Sequence, residues 1–453
     1  MSGLTNKIWS IYGNINSSKI CIPETPLGPC NEVEVSNVFV QGSSDAGLMA
    51  WNLMDTINKK KTKTDDSNFS IEGIQIDNLV FVDDIIEFSV SVREADYKNI
   101  NLETFECANR LKFKTDKCKL LIMNRNDDEC DINMNGEIME IKEHHKYLGT
   151  YISADGSRNE DIAVRVKEAK SVGNEITQIC KQTELSPIRF KYLDTLINAC
   201  LDSKIKHGCQ FWDRLNKTQT NEINKIKINI IKNILEMSTS TPSAAVQHEF
   251  GVIDLTLEIE MEKIVLVAGI LKKDHDHVGK RLLQIMLEKE IEGFSSHTLQ
   301  LLSKFEMSIE SITSIPKLRQ VLKEKMIKLQ KNKLIKTMME STKTDMLLCN
   351  FEFSGKILEY LTILPFKQAS CIFKLRSRMF PTSDNFKGRW SPLCPFCKME
   401  ETDIHLFSCP GYMDITESKL NHTMYFGERL LNELEMKAGK LVQIYERLAT
   451  MKE

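Results

Sequence analysis

The sequence predicts an α+β chain in which the sheet-forming part comes first and helices follow. Three observations carry that prediction. Strand-like apolar runs are concentrated ahead of Asp155-Gly156, and helical periodicity takes over after it. A compact Cys/His group then stands near the C-terminus, at Cys394, Cys397, His405 and Cys409.

Composition narrows the classes. The chain has 453 residues, which at about 150 per domain predicts about three structural units. Apolar residues make up 42% and charged residues 27%, with 20 Gly and 11 Pro. That is globular composition and excludes a collagen-like, disordered or rod-like chain. The longest apolar run, Ile264 to Leu271, falls far short of the about 20 residues that a bilayer span needs, so no membrane partner is expected. Met1 to Ser10 has no basic segment followed by an apolar one, and the 13 cysteines are odd in number. A reduced, intracellular, unsecreted protein is expected. The net charge of −3 hides an uneven distribution. Residues 65–106 carry eleven acids and two bases, and residues 317–343 carry nine bases and two acids.

The elements follow in order. Asn78 to Val82 reads as a strand, Asp83-Asp84 as a tight acidic turn and Ile85-Ile86 as a second strand. Leu120 to Met123 and Tyr147 to Ile152 are further strand candidates, and Ala95 to Leu111 reads as a helix. Ser157 and Glu160 have capping-box spacing. Ile162, Val166, Ala169, Val172, Ile176 and Ile179 then mark one helical face, and Ile223, Ile226, Ile230, Ile231 and Ile234 mark another. Loop signals fall at Ser295-Ser296 and at Ser314-Ile315-Pro316. Pro381 to Pro395 reads as a linker, and Arg429 to Leu448 as a final amphipathic helix.

Asp83 and Asp84 lie between apolar half-strands. Adjacent acids at a hairpin tip repel, and a hard cation such as Mg²⁺ relieves that repulsion through carboxylate oxygen. Nucleotidyl transfer uses two such ions to clamp the attacking and leaving oxygens. A solvated turn fits the same residues, since Asp is favoured in turns.

Phe81-Val82-Asp83-Asp84 resembles the Tyr/Phe-x-Asp-Asp motif of reverse transcriptases. Val38-Phe39-Val40-Gln41-Gly42 and the segment Leu48 to Ile57 resemble the Gln-Gly stretch and following helix of the same palm. Leu111 to Lys114 with Lys117 resembles the segment that carries a lysine, and Lys146-Tyr147-Leu148-Gly149 resembles the primer-grip turn. Asp155-Gly156, Gly208 to Trp212, Ser240-Thr241-Pro242 and Glu249-Phe250-Gly251 narrow the resemblance to non-LTR (LINE-type) retrotransposon reverse transcriptases.

The resemblance implies a partial palm over 1–155, a helical thumb over 156–260 and a helical connection with a basic stripe over 261–370. A zinc knuckle over 371–415 and a C-terminal helix over 416–453 complete it. It implies that Asp83 and Asp84 bind Mg²⁺ or Mn²⁺. Lys117 would stand by the incoming triphosphate, and Gln41 and Gly42 would lie by the template. Tyr147, Leu148 and Gly149 would bear on the primer, although a plain strand-and-turn role fits them equally. The implied partners are an RNA template and a DNA primer or target, and the implied place is the nucleus, where chromosomal DNA primes, or the cytoplasm.

Two departures qualify the resemblance. The family carries a further catalytic aspartate on a strand upstream of Gln-Gly, whereas the only acids of Met1 to Val40 are Glu24, Glu32 and Glu34. Gln41-Gly42 is followed by Ser43-Ser44-Asp45-Ala46-Gly47 instead of the family's proline-rich pattern. No endonuclease domain is expected, and little or no polymerisation is expected from the chain alone.

Cys394-x₂-Cys397-x₇-His405-x₃-Cys409 has the ligand types and spacing of a closed tetrahedral Zn²⁺ site. His405 and Cys409, four apart, are expected on one helical face. The group also resembles the Cys-Cys-His-Cys knuckle of the same family, with the His-to-Cys spacing one residue shorter. Lys374, Arg376, Arg378, Lys387 and Arg389, interleaved with Phe380 and Trp390, suit phosphates and bases. They equally suit a solvated basic face over buried aromatics. The bases of 317–343 fit either nucleic-acid contact or a solvated helix covering the core.

Overall fold

The computed structural model describes residues 69–109, 111–123, 131–182, 189–308, 314–348, 351–416, 422–425 and 433–452, together with short strands between Lys19 and Val35. The chain divides into two compact units, 1–157 and 158–453. It is α+β, with every described strand in the first unit.

Strands of the first unit pair two by two. β1 (Lys19–Cys21) pairs with β4 (Val33–Val35), and β2 (Glu24–Thr25) with β3 (Gly28–Pro29). β5 (Ser70–Ile71) pairs with β6 (Ile74–Gln75), and β7 (Asn78–Phe81) with β8 (Asp84–Glu87). β10 (Asn133–Met134) pairs with β11 (Glu137–Ile138), and β13 (His144–Tyr147) with β14 (Thr150–Ser153). All of these are antiparallel. β9 (Lys119–Leu120) pairs in parallel with β12 (Glu140–Ile141). The strand expected over Leu120 to Met123 is therefore only the end of a two-residue strand. The one expected over Tyr147 to Ile152 is broken by a turn at Leu148-Gly149, where both residues have positive φ.

Helix α1 (Val92–Asn109) covers the β7–β8 hairpin. Leu102 and Phe105 pack against Val80, Ile85 and Phe113. Its start is set by Ser91 and Glu94. Ser91 Oγ accepts from the Glu94 N–H, and the Glu94 carboxylate accepts from the Val90 N–H at 2.9 Å. Those two side chains satisfy amides that a helix start leaves unpaired.

The second unit is helical. α2 (Asn159–Gln182) buries Ile162, Val166, Ala169 and Ile176, as its periodicity predicts. The stripe then turns to Cys180, and Ile179 is exposed. The 3.6-residue repeat makes 176 and 180 face one way. The helix begins at Asn159, two positions beyond Ser157, whose N–H goes instead to Asp155. After α3 (Arg189–Leu196), a single π-turn (Ile197–Leu201) leads into α4 (Asp202–Ile205). α5 (Lys217–Ile234) is capped reciprocally by Asn216 and Gln219, and all five predicted isoleucines are buried.

α6 (Ser243–Glu249), α7 (Leu255–Leu271), α8 (Val278–Glu288) and α9 (Phe294–Lys304) follow. Ser295-Ser296 lies inside α9, not in a loop. The Ser295 hydroxyl donates back to the Ile291 carbonyl, and the break falls at Gly293. α10 (Ile315–Met339) starts at Ser314, whose hydroxyl accepts from the Lys317 N–H. It buries Leu318, Leu322, Met326, Gln330, Leu334 and Met338, every fourth residue, and leaves most of its lysines outside. Three of its bases pair with acids: Arg319 bridges Glu262 at 2.7 and 2.9 Å, Lys325 meets Glu306, and Lys333 meets Asp254. Coverage of the core is thus one role of the basic stripe.

Short α11 (Glu359–Ile363), then α12 (Phe366–Arg376), α13 (Met413–Thr416) and α14 (Leu434–Thr450) complete the chain. One apolar core runs from Ile162 through α5, α6 and α12 to Leu448 and takes in Cys394 and Cys409. α14 contributes Leu434, Ala438, Leu441, Ile444 and Leu448. Its expected start at Arg429 lies outside the described residues.

Two buried polar groups bind this unit together. Glu249 accepts from Arg376 Nε and Nη2, from Tyr360 Oη at 2.7 Å, and faces His248 Nδ1 at 3.1 Å. Lys263 on α7 is buried, donates to the Trp212 carbonyl at 3.0 Å, and lies 3.1 Å from His297 Nδ1 and 4.3 Å from the Phe294 ring centre. Burial lowers the Lys263 ammonium to about 8, against the pull of Asp213.

Candidate metal centre

The four predicted ligands converge. Cys394 Sγ lies 3.6 Å from Cys409 Sγ, Cys409 Sγ lies 3.7 Å from Cys397 Sγ, and Cys397 Sγ lies 3.1 Å from His405 Nε2. All four donor atoms lie within 4.8 Å of one another. A tetrahedral zinc with bonds of about 2.3 Å to sulfur puts its ligand sulfurs about 3.8 Å apart, so the spacing fits. It is far beyond the about 2.05 Å of a disulfide. Thiolate and imidazole donors favour a soft or borderline ion over Mg²⁺. The group can hold a metal ion such as zinc.

Local backbone chemistry makes this convergence. Cys394 and Cys397 sit on a knuckle closed by the Leu393–Glu400 bridge, by the Cys394 N–H donating to the Met399 carbonyl at 2.7 Å, and by the Lys398 N–H donating to the Cys394 carbonyl at 3.0 Å. Lys398 takes φ of +64° to turn the chain. The Met399 amide points back at Cys397 and holds its thiol below the ordinary range. Burial pushes Cys409 up to about 12, while the Gly411 amide acts in the opposite sense.

The second pair is not on one helical face. His405 opens a short 3₁₀ turn that ends at Phe407, and Cys409 is extended, with φ −73° and ψ 132°. A break between them turns both side chains toward the knuckle. Gly411 then passes so close to Phe396 that a Cβ there would lie 2.4 Å from the ring.

The segment read as a linker, Pro381 to Pro395, is a clamp on this module. Thr382, Ser383 and Asn385 are buried. Thr382 Oγ1 and Asn385 Nδ2 donate to Asp403 at 3.0 and 2.9 Å, and the Ser383 N–H and Oγ donate to Glu401 at 2.8 Å. Lys452 also reaches Glu401. Burial raises Asp403 to about 6 despite those donors. Side-chain hydroxyls and an amide, invisible to a hydropathy reading, fasten the loop between the two ligand pairs.

Of the basic residues nearby, Arg376 is buried against Glu249 and Phe380 is wholly buried, so neither offers a surface to a nucleic acid. Lys374 lies over the Tyr445 ring and Arg378 faces Asp345. Lys387 and Arg389 are exposed, with Arg389 4.9 Å from the centre of the half-buried Trp390 ring.

In the first unit, Val82-Asp83 forms the turn between β7 and β8. Asp83 is exposed in the turn and Asp84 is exposed at the head of β8. Val82 has φ of +55°, a strained state for a β-branched residue. Tyr147 ends β13, half-buried. Burial raises its hydroxyl and the Asp84 charge raises it further, so the two hairpins lie within electrostatic reach. Lys117 ends a 3₁₀ turn, Thr115–Lys117, and is exposed. Gln41 and Gly42, with Leu48 to Ile57, lie outside the described residues. Among the described residues no third acidic side chain joins Asp83 and Asp84 in a metal-binding group, and the Cys394 set is the only such group. Also among the described residues, no helix is long and apolar enough to cross a membrane.

The sequence signals missed Glu249 with Arg376, and Lys263 with its cage. Glu249-Phe250-Gly251 is the trace they leave. Gly251 has φ of +62°, and a Cβ on it would lie 2.4 Å from the Lys356 backbone.

Compared with models of known families and with curated proteins, the chain matches none.

Proposed function

We propose that the chain is a nucleic-acid-binding part of a non-LTR (LINE-type) reverse transcriptase, with a palm piece, a helical thumb and connection, and a zinc knuckle. In this reading it binds RNA template and DNA primer but polymerises little or nothing by itself. The observation that carries the reading is the hairpin Phe81-Val82-Asp83-Asp84, with its acids exposed at a strained turn and Asp84 within electrostatic reach of Tyr147. The order of the other motifs along the chain supports it.

The palm chemistry of the family needs carboxylates around two metal ions. Asp83 and Asp84 supply one exposed pair, which binds Mg²⁺ or Mn²⁺ weakly without a further carboxylate. Loss of one member of a catalytic unit commonly lowers the rate by several orders of magnitude. Zinc at Cys394, Cys397, His405 and Cys409 would be structural, since four protein ligands leave no open position. Lys387 and Arg389 are the exposed side chains offered to phosphate, while the Trp390 ring is already covered by Lys452 at 4.4 Å and Arg389 at 4.9 Å.

A second reading keeps the binding and drops the polymerase ancestry of the first unit: a non-catalytic RNA- or DNA-binding protein built on the zinc knuckle. The exposed Lys387 and Arg389 favour it equally. Primer extension on an RNA template with Mg²⁺ and with Mn²⁺, beside Asp83→Ala, tests the first reading. No extension by either protein is expected. Extension by the wild type that Asp83→Ala abolishes would show a complete metal site and overturn the claim of inactivity.

A further inference from the structure

We infer that the sulfurs of Cys397 and Cys409 form a redox switch, in which a hydroperoxide joins them as a disulfide and the metal ion is released. The inference rests on the metal-binding reading of the same four residues. Cys409 Sγ lies 3.7 Å from Cys397 Sγ and 3.6 Å from Cys394 Sγ, and all four donor atoms lie within 4.8 Å of one another. Exposure separates those two neighbours. Cys394 and Cys409 are buried, at 0% and 1%, whereas Cys397 is half-buried and is the sulfur a small oxidant meets first. A disulfide bond is about 2.05 Å long, so the two sulfurs must close by about 1.7 Å.

The chemistry balances with hydrogen peroxide as oxidant. The Cys397 sulfur attacks one peroxide oxygen and the O–O bond breaks. Cys397, a thiolate while it holds the metal, becomes a sulfenic acid, and the other oxygen leaves as hydroxide and takes a solvent proton to become water. The Cys409 sulfur then attacks the Cys397 sulfur. The S–S bond forms, the S–O bond breaks, and the hydroxide that leaves takes a solvent proton to become a second water. Two metal-bound thiolates, one hydrogen peroxide and two solvent protons give one disulfide, two waters and the free divalent ion. Cys394 and His405 alone remain as ligands, two short of a closed tetrahedral site. The metal's hold on the loop between Glu400 and Cys409 is lost with it, which couples the peroxide level to the order of the module that bears Lys387, Arg389 and Trp390.

The test uses the full chain loaded with zinc, titrated with hydrogen peroxide. Zinc content before peroxide reports on the metal reading alone, and a chain that holds no zinc overturns both claims. With zinc present, one zinc should be released for every two thiols lost, and peptide mapping should find a Cys397–Cys409 link. Dithiothreitol with added zinc should restore both counts. Cys107 and Cys200 are exposed competitor thiols, so the ratio is counted in the variant Cys107→Ser with Cys200→Ser, which should release zinc and form the same link as the wild type. Zinc retained through the oxidation, a link between other cysteines, or Cys397 found as sulfinic acid without a link would overturn the switch and leave the metal site standing.

Discussion

Arg376 Nη2 donates to Glu249 Oε1 at 2.8 Å, across 127 residues of sequence, with Glu249 fully buried and Arg376 nearly so. Nε of the same guanidinium lies 3.0 Å from Oε1 and 3.1 Å from Oε2, and Nη1 donates to the Tyr425 carbonyl. One ion pair thus ties α6 to α12 and to the segment ahead of α14. Burial pushes Glu249 up, and Arg376 overrides it and holds the carboxyl at about 2.

Breaking that pair leaves a buried charge uncompensated. Arg376→Met should lower stability by about 3–5 kcal/mol in urea unfolding, and the double variant with Glu249→Gln should lose much less. The folded pKa of Glu249 lies below its ordinary 4.5. Its contribution is therefore fully present above pH 4.5 and lost as pH falls from 4.5 to about 2. Equal losses for the single and double variants would mean that the pair does not act as a unit.

His297 gives a second acid-side dependence. Burial first, then the Lys263 ammonium, lowers it from 6.5 to about 4. The unfolded chain binds the proton more readily, so this contribution is complete above pH 6.5 and is lost as pH falls to about 4. Thermal melts of wild type and His297→Gln should converge over that window as pH drops. Parallel profiles would show that His297 does not set this dependence.

Gly411 and Phe396 set the fit of the metal module. Gly411→Ala places a methyl where the Phe396 ring now lies, and overpacking of this kind costs about 1–3 kcal/mol. Faster zinc loss to a chelator is expected, with partial recovery when Phe396→Leu is added. A Gly411→Ala chain that holds zinc as the wild type does would show that the ring moves freely.

Val82 carries backbone strain next to Asp83. Val82→Gly relieves the positive φ and should stabilise the hairpin by about 1 kcal/mol, read as slower amide exchange in β7 and β8. Unchanged or faster exchange there would show that the Val82 side chain contributes more than the strain costs.

Local patterns were legible in the sequence where one physical signal dominated. The isoleucine stripe of α5 and the first four contacts of α2 follow from period alone. The hairpin at Asp83 follows from apolar runs broken by acids, and the convergence of Cys394, Cys397, His405 and Cys409 from ligand type and spacing. What escaped depends on contacts distant in sequence or on polar atoms. Arg376 reads as one more surface base until Glu249 meets it. Pro381 to Pro395 reads as a linker because Thr382, Ser383 and Asn385 act through hydrogen bonds. Ser295 reads as a loop residue, although its hydroxyl bonds back to the preceding turn and sits comfortably in α9. The helical face expected for His405 and Cys409 failed because i, i+4 spacing places residues together only while the helix lasts.

The central claim is that a zinc-organised chain binds nucleic acid. Its most direct test is fluorescence anisotropy of the zinc-loaded chain with labelled single-stranded RNA over a salt series. The expected result is binding whose logarithm falls linearly with the logarithm of salt, by about 0.7 for each phosphate neutralised. A shallower slope is expected for Lys387→Ala with Arg389→Ala, at unchanged zinc content. A zinc-loaded, folded chain that binds no RNA at low salt would contradict it.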